Sequence, residues 1–312
     1  MKALVIGGAG FVGNYLIERL SSDGHKVYAT CLANEKIENA ECESFNLDIL
    51  DKSAVKDILS DVKPDWIFHL AAQSSVSYSW KNPQLTVDVN IKGTVNVLDA
   101  MRESGLDKTR IILIGSGEEY GYIREGACPI KETEPLNPGN IYAATKACQS
   151  MIGSIYARAY GMDIVMVRAF NHIGPAQLTQ FVVADFCNQA AEIEKGNRKP
   201  EISVGNLAVK RDFTDVRDIV RAYELLAEKG VSGKIYNVGS GKAVLIEDIL
   251  KLIVSKSTAE ITVSVDKARL RPADVPVIEA DISEIKADTG WEPEISLEKT
   301  IEDTLNYWRN MD

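Results

Sequence analysis

The stretch VIGGAGFVGNYL, residues 5–16, constrains this chain more than any other. The apolar run KALVIG (2–7) meets Gly7, Gly8, Gly10 and Gly13, while Phe11, Val12, Leu16 and Leu20 recur at helical spacing. A chain that passes this abruptly from strand to helix needs a tight turn, a close backbone approach and a helix packed near its strand. Glycine serves each need, and the uncovered helix N-terminus faces an anion. Opening a strand–helix–strand unit, the turn predicts a pyrophosphate site, with Gly7, Gly10, Phe11, Val12 and Gly13 around a dinucleotide.

The alternation continues. KVYAT (26–30), ESFNLD (43–48), WIFHLAA (66–72), RIILIGS (110–116) and DIVMVRAF (163–170) read as strands, and GTVNVLDAMRES (93–104) as a helix. The strand runs are apolar throughout, as in parallel strands covered on both faces. They predict an α/β fold, a doubly wound parallel sheet of the Rossmann type. Beyond residue 171 the rhythm breaks. NHIGPAQLTQ (171–180) reads as a loop, FVVADFCNQAAEIEKG (181–196) as a helix, and RDFTDVRDIVRAYELLAEKG (211–230) as a loop that becomes a helix. GKIYNVGSG (233–241) reads as a further strand of the main sheet, and EITVSV (260–265) as a short strand among C-terminal helices. The expected division is a dinucleotide-binding part, 1–170 with about 212–242, and a smaller discontinuous α/β substrate part, about 171–211 with 243–312.

Composition excludes some partners. The net charge of −10 has no compensating basic stretch, which argues against nucleic acid and anionic membranes. Cys31, Cys42, Cys128, Cys148 and Cys187 form no CxxC pair, so neither a zinc site nor a disulfide framework is expected, and no metal. The first apolar run is too short for a signal sequence, and no run approaches the ~20 apolar residues of a membrane span. The cytoplasm is the default compartment.

Two stretches carry chemistry. In ILIGSGEEYGY (112–122) a buried-strand pattern stops at Ser116, and Glu118 and Glu119 follow at once. In NIYAATKACQ (140–149) Tyr142 and Lys146 stand four apart on one helix face. A neighbouring ammonium favours the phenolate and would bring the tyrosine toward a working pKa. Near the end of the second strand, where a carboxylate would bind the adenosine ribose, stands Cys31, with Lys36 the nearest cation. That leaves NAD and NADP both open, with a lean to NADP. Asp48 and Ile49 suit the adenine edge. Arg211 and Arg271 could grip a diphosphate with a guanidinium fork or form surface salt bridges.

Together these residues resemble the extended short-chain dehydrogenases/reductases, the class of nucleotide-sugar epimerases, dehydratases and reductases. The likeness runs through the glycine turn, HLAAQSSV (69–76), NIKGTVNVLDA (90–100), Ser116 four before Tyr120, Tyr142 with Lys146, RAFNHIGP (168–175), RDFTDVRD (211–218) and LRPADVP (270–276). Ile6 departs from it, where a threonine often precedes the first glycine. The resemblance implies Ser116, Tyr142 and Lys146 as catalytic, and Leu70, Ala71 and Ala72 beside the cofactor. It also implies Ser75, Glu118, Asn171, Arg211, Arg271 and Asp274 at a nucleotide-sugar substrate, with Asn171 on the diphosphate and Asp274 on the nucleoside ribose. Asn90 is expected to order the site's backbone, and His69 to be structural. Within the class the likeness is to the branch that reduces GDP-linked 4-keto-6-deoxy hexoses, giving GDP-rhamnose or its C4 epimer. A 4,6-dehydratase or 4-epimerase on the same scaffold is the alternative, and a non-catalytic dinucleotide sensor a third reading. A dehydratase needs an acid and a base besides the tyrosine. Gly117 offers no acid, and Glu118 alone keeps that chemistry open. The class also implies a homodimer through helices containing 90–104 and 142–160. Val97, Met101, Met151 and Tyr156 are candidates for its seam or for packing within one subunit.

Overall fold

A computed structural model describes residues 1–37, 42–124, 126–269 and 275–311. Six strands come first: β1 (Lys2–Ile6), β2 (Lys26–Cys31), β3 (Glu43–Asn46), β4 (Trp66–His69), β5 (Arg110–Ser116) and β6 (Ile164–Ala169). After β7 (Asn171–Ile173), β8 (Glu201–Val204) and β9 (Lys210–Asp215), β10 (Ile235–Val238) returns to lie beside β6. The sheet order is β10-β6-β5-β4-β1-β2-β3, and every pairing in it is parallel.

Strand period and helix period divide the apolar residues between two faces. In β1, Ala3 and Val5 pack with Leu16, Ile17 and Leu20 of α1 (Phe11–Ser22). Leu4 and Ile6 turn the other way, onto Val55 and Leu59 of α2 (Lys52–Val62). Two short helices, α3 (Val76–Lys81) and α4 (Pro83–Val87), lead through a turn of π-helix at Asp88–Gly93 into α5 (Thr94–Glu103). The face with α2 is closed by α5 and by α6 (Ile141–Tyr160). On the first face α1 is joined by α8 (Val216–Lys229), which follows α7 (Val182–Glu194).

The later segments build a separate apolar cluster. It gathers Phe186 and Ala190 of α7, Ile202 of β8, Phe213 of β9, Ile249 and Ile253 of α9 (Ile246–Lys256), and Ile301 and Leu305 of α11 (Leu297–Asn310). β11 (Ala243–Leu245) and β13 (Val277–Ile278) flank β9, β12 (Thr262–Val265) pairs with β8, and α10 (Ser283–Thr289) packs on α8 and β10.

Two expectations need correction. Residues 171–173 and 210–215 are strands rather than loops, with Asn171 opposite Phe213 in a parallel pair. These strands are short and polar, so no apolar alternation marks them; pairing with distant segments makes them strands. Of the two readings for Val97 and Met101, packing within one subunit holds: both are buried under the main sheet, on the face of α5 turned toward Leu4 and Ile67. Tyr156 is half-buried, its hydroxyl donating to Asp99 at 3.0 Å, whereas Met151 is 57% exposed.

Candidate active site

The site lies at the C-terminal ends of the main-sheet strands. A side chain on Gly7, whose φ is +90°, would meet the Ala71 backbone nitrogen at 2.7 Å, and one on Gly13 would meet the Gly8 carbonyl at 2.5 Å. Gly10 is different. It is exposed, and a side chain there would touch only the Gly7 carbonyl, at 3.6 Å, so its missing Cβ opens the turn to the outside. α1 begins at Gly10 with no side-chain cap and no acid in its first turn. Its leading N–H groups and positive helix end therefore fit an incoming anion. The backbone N–H groups of Leu70 and Ala71 donate to the Ile6 carbonyl at 2.9 and 2.8 Å, locking the end of β4 against the turn, with Ala72 half-buried beyond. Val12 is half-buried, and Phe11 stacks on His172 with centroids 6.2 Å apart. Asp48 stands exposed on the rim, but Ile49 is buried among Leu59 and Val97, so of this pair only the aspartate remains open to an adenine.

The end of β2 carries a carboxylate that sequence spacing did not reveal. Cys31 is buried, its Sγ facing the Glu35 carbonyl at 3.7 Å, and the chain turns back so that Glu35 Oε2 accepts the Leu32 N–H at 3.1 Å. The lean to NADP rested on the lack of such an anion. Glu35 supplies one four residues later, because the turn at 32–35 brings it back to the strand end.

Ser116 ends β5, and its Oγ accepts the Glu118 N–H at 3.2 Å as the cap of a 3-10 turn, Gly117–Tyr120. Asn140 caps α6 through the Ala143 N–H at 2.8 Å and donates its amide to Glu118 Oε2 at 3.1 Å. Tyr142 stands on the first turn of α6, its backbone N–H donating to Ser79 Oγ at 3.3 Å and its phenol facing the Ser116 side chain. Ser116, Glu118 and Tyr142 are thus brought together. Burial pushes the Tyr142 phenol well above its ordinary value, Glu118 and Glu119 add to the rise, and Ser116 opposes it. Lys146 Nζ donates to the Ile114 carbonyl at 2.7 Å and to Gln149 Oε1 at 3.1 Å, and burial pulls its pKa down to about 8. The expected depression of Tyr142 by Lys146 is not seen, because the ammonium is turned to the backbone of β5 and the phenol is buried. His69 lies behind, neutral with a pKa near 3 through burial and the charge of Lys146; its Nε2 meets Thr94 Oγ1 at 3.0 Å.

The adjacent glutamates part company here. Glu119 is 0% exposed and ion-paired with Arg168, whose Nε donates to Oε2 at 3.0 Å. Arg168 also donates to the Tyr120 hydroxyl at 3.0 Å and the Glu132 carbonyl at 3.1 Å. The sequence marks Glu119 beside Ser116 but not its pairing with Arg168; the only signal for that was an arginine in the otherwise apolar run DIVMVRAF. At Gly117 a side chain would press on the Phe170 ring at 3.2 Å.

The remaining candidates are more scattered. Ser75 caps α3 through the Tyr78 N–H at 3.2 Å. Asn90, in the π turn, binds both backbone groups of Gln73 and donates to Thr145 Oγ1 at 2.9 Å, so it ties the segment after β4 to α6. Asn171 is exposed on β7. Arg211 lies on β9, where its guanidinium donates to the carbonyls of Lys210 at 2.8 Å and Val275 at 2.7 Å. Arg271 and Asp274 lie outside the described residues. Among the described residues there is no group of three His, Cys, Asp or Glu able to hold a metal, and no helix long and apolar enough to cross a membrane.

A family model described as GDP-mannose 4,6 dehydratase matches residues 4–304. The chain belongs to this family, within the extended short-chain dehydrogenases/reductases. It is 31% identical over 309 residues to the GDP-6-deoxy-D-mannose reductase of Pseudomonas aeruginosa, covering 99% of this chain and 97% of the relative. Among solved structures it is similar to RMD from Pseudomonas aeruginosa complexed with NADPH, with a TM-score of 0.87, 29% identity and coverage of 99% and 98%. It is equally similar to the Thermus thermophilus UDP-glucose 4-epimerase complexed with NAD, with a TM-score of 0.88, 29% identity and 99% of both chains covered. Family membership makes the chain an NAD(P)-dependent nucleotide-sugar enzyme.

Proposed function

We propose that the protein reduces the C4 keto group of a nucleotide-linked 4-keto-6-deoxy hexose with NAD(P)H, the GDP-linked sugar being favoured. The carrying observation is the fate of the two glutamates. Only Glu118 opens to the site; Glu119 is spent on Arg168, and Phe170 fills the space an acid at position 117 would need. Elimination across C5 and C6 by a separate base and acid besides the tyrosine lacks its acid here, and Glu118 is the one carboxylate left to it. Reduction requires fewer proton carriers. Bound NAD(P)H supplies the hydride. The Ser116 hydroxyl binds the keto oxygen and Tyr142 protonates it, a role that suits a phenol whose burial keeps it protonated. The Pseudomonas aeruginosa reductase supports this reading.

Glu118 and the family model favour one second reading, a GDP-mannose 4,6-dehydratase. The test is to supply GDP-mannose alone, and separately GDP-4-keto-6-deoxymannose with NADPH or NADH. A reductase consumes nicotinamide only in the second assay. Ketosugar formed from GDP-mannose without net nicotinamide consumption would replace the reductase reading with the dehydratase one.

The substrate's nucleotide is assigned to the segments after β6, with Asn171 and Arg211 at its diphosphate. A homodimer is proposed through α6 and the α3 and α4 helices packed on it, which expose Met151, Ile155, Trp80 and Leu85. Sedimentation of Met151→Glu beside wild type tests it. The cytoplasm, which maintains the reduced nicotinamide pool, is the proposed compartment.

A further inference from the structure

We propose that Glu119 is a positioning residue of the Ser116–Tyr142–Lys146 set. Its single buried carboxylate ties the tip of β5 to the helix carrying the tyrosine and lysine, and its charge sets the field in which they hold their protons. This rests on the reading that those three residues perform the chemistry.

The carboxylate is shared among three elements. Oε1 accepts the Ser116 backbone N–H at 2.9 Å, and Oε2 accepts the Ser150 hydroxyl at 2.9 Å together with Arg168 Nε at 3.0 Å. Ser150 lies four residues after Lys146 and eight after Tyr142, so all three share one face of α6. A single side chain thus sets the strand tip bearing Ser116 in register with the helix face bearing its partners. Burial raises the Glu119 pKa, but its neighbours are a guanidinium, an N–H and a hydroxyl, all donating, which is the environment of an ionised carboxylate. The backbone makes room for it: a side chain on Gly115 would fall on Glu119 Oε1 and lie 2.5 Å from the Val167 carbonyl. The glycine before Ser116 is therefore the cradle of Glu119.

The charges around the set give this anion its leverage. Lys146 is faced by neutral His69 from β4 and by Glu119 from the turn after β5. Tyr142 is faced by Glu118 and Glu119 from that turn and by Tyr223 from α8, and Arg168 of β6 faces Glu119 itself. Burial pulls Lys146 down to about 8 and Glu119 is the charge that opposes the fall. Removing that charge therefore lowers the pH at which Lys146 loses its proton.

Three proteins test the proposal: wild type, Glu119→Gln and Ser150→Ala. Turnover of the 4-keto sugar is followed against pH, and Lys146 is titrated by ¹⁵N-lysine NMR, assigned with Lys146→Met. Glu119→Gln should lose about 10- to 100-fold in kcat with little change in KM. Its alkaline limb and its Lys146 midpoint should both move to lower pH. Ser150→Ala keeps the charge but cuts the tether to α6, so kcat falls while limb and midpoint stay. Should Glu119→Gln fail to fold, Glu119→Gln/Arg168→Gln removes the stranded cation and is read the same way. A folded protein without Glu119 that keeps the wild-type limb and midpoint would overturn the electrostatic role, and an unchanged kcat in Ser150→Ala would overturn the tether. The NMR titration needs no substrate. If wild type reduces no 4-keto sugar, the proposed function falls while Lys146 still reports on Glu119.

Discussion

Two buried carboxylates, one beside β5 and one on β9, show different solutions to the same physical problem. Glu119 is met by a cation, Arg168, in addition to Ser116 and Ser150. Asp212 is satisfied by neutral groups: the Ser240 N–H and hydroxyl, each at 2.6 Å, the Gly241 N–H at 3.0 Å and the Ala280 N–H at 3.1 Å. Burial raises both pKa values, and in each case donors pull back. The difference lies in what each region has to hold. Around β5, ionisable groups surround the carboxylate, and its field acts on them. Around β9, the carboxylate gathers the loop after β10 and Ala280, two residues past β13, and its field has no proton to move. A buried charge is thus an electrostatic element in the first region and a structural knot in the second.

The comparison predicts that changes near β5 read out in turnover and changes near β9 in stability. Tyr142→Phe should show the largest effect, a loss of ~10²–10⁴-fold in kcat with little change in melting temperature or cofactor affinity. Near-normal turnover in that variant would remove Tyr142 from its role and collapse the contrast. Asp212→Ala leaves three backbone N–H groups and a hydroxyl without their acceptor, and should cost about 2–4 kcal/mol in urea unfolding. Its pH–rate profile, measured well below the melting temperature, should match wild type; a displaced limb would mean that β9 also reaches the proton chemistry.

Two exposed or half-exposed carboxylates sharpen the comparison at the small end. Glu35→Gln removes an anion from the end of β2 and should raise the NADPH-to-NADH preference by a factor of several, read from the two dissociation constants. An unchanged ratio would place Glu35 outside the ribose pocket. Glu118→Gln should keep ketosugar reduction within a few-fold of wild type, because the amide preserves shape and hydrogen bonding to Asn140. A loss of ~10²-fold or more would instead make Glu118 a proton carrier, as the dehydratase reading requires.

The strand–helix rhythm of the first half, the glycine turn and the Tyr142–Lys146 pair were legible because each is a local matter. Backbone sterics, the strand and helix periods and the four-residue repeat operate within a few positions. What escaped was decided across the chain. β7 and β9 carry no apolar alternation and exist through each other and through β11 and β13. Val97 and Met101 lie on an amphipathic helix, and only the sheet beside it determined that their face is core.

At the tip of β5 the division is clearest. The sequence by itself determined that an apolar strand ends there in Ser116, followed by two acids. Which acid faces the site and which the core was decided by Arg168, forty-nine positions away, by Ser150 on α6 and by the empty space at Gly115. Two neighbouring carboxylates are chemically alike, and a chain records their order but not their surroundings. Burial and counter-charge differ by kilocalories between the two sides of a strand end, and those energies exist only once distant segments have packed.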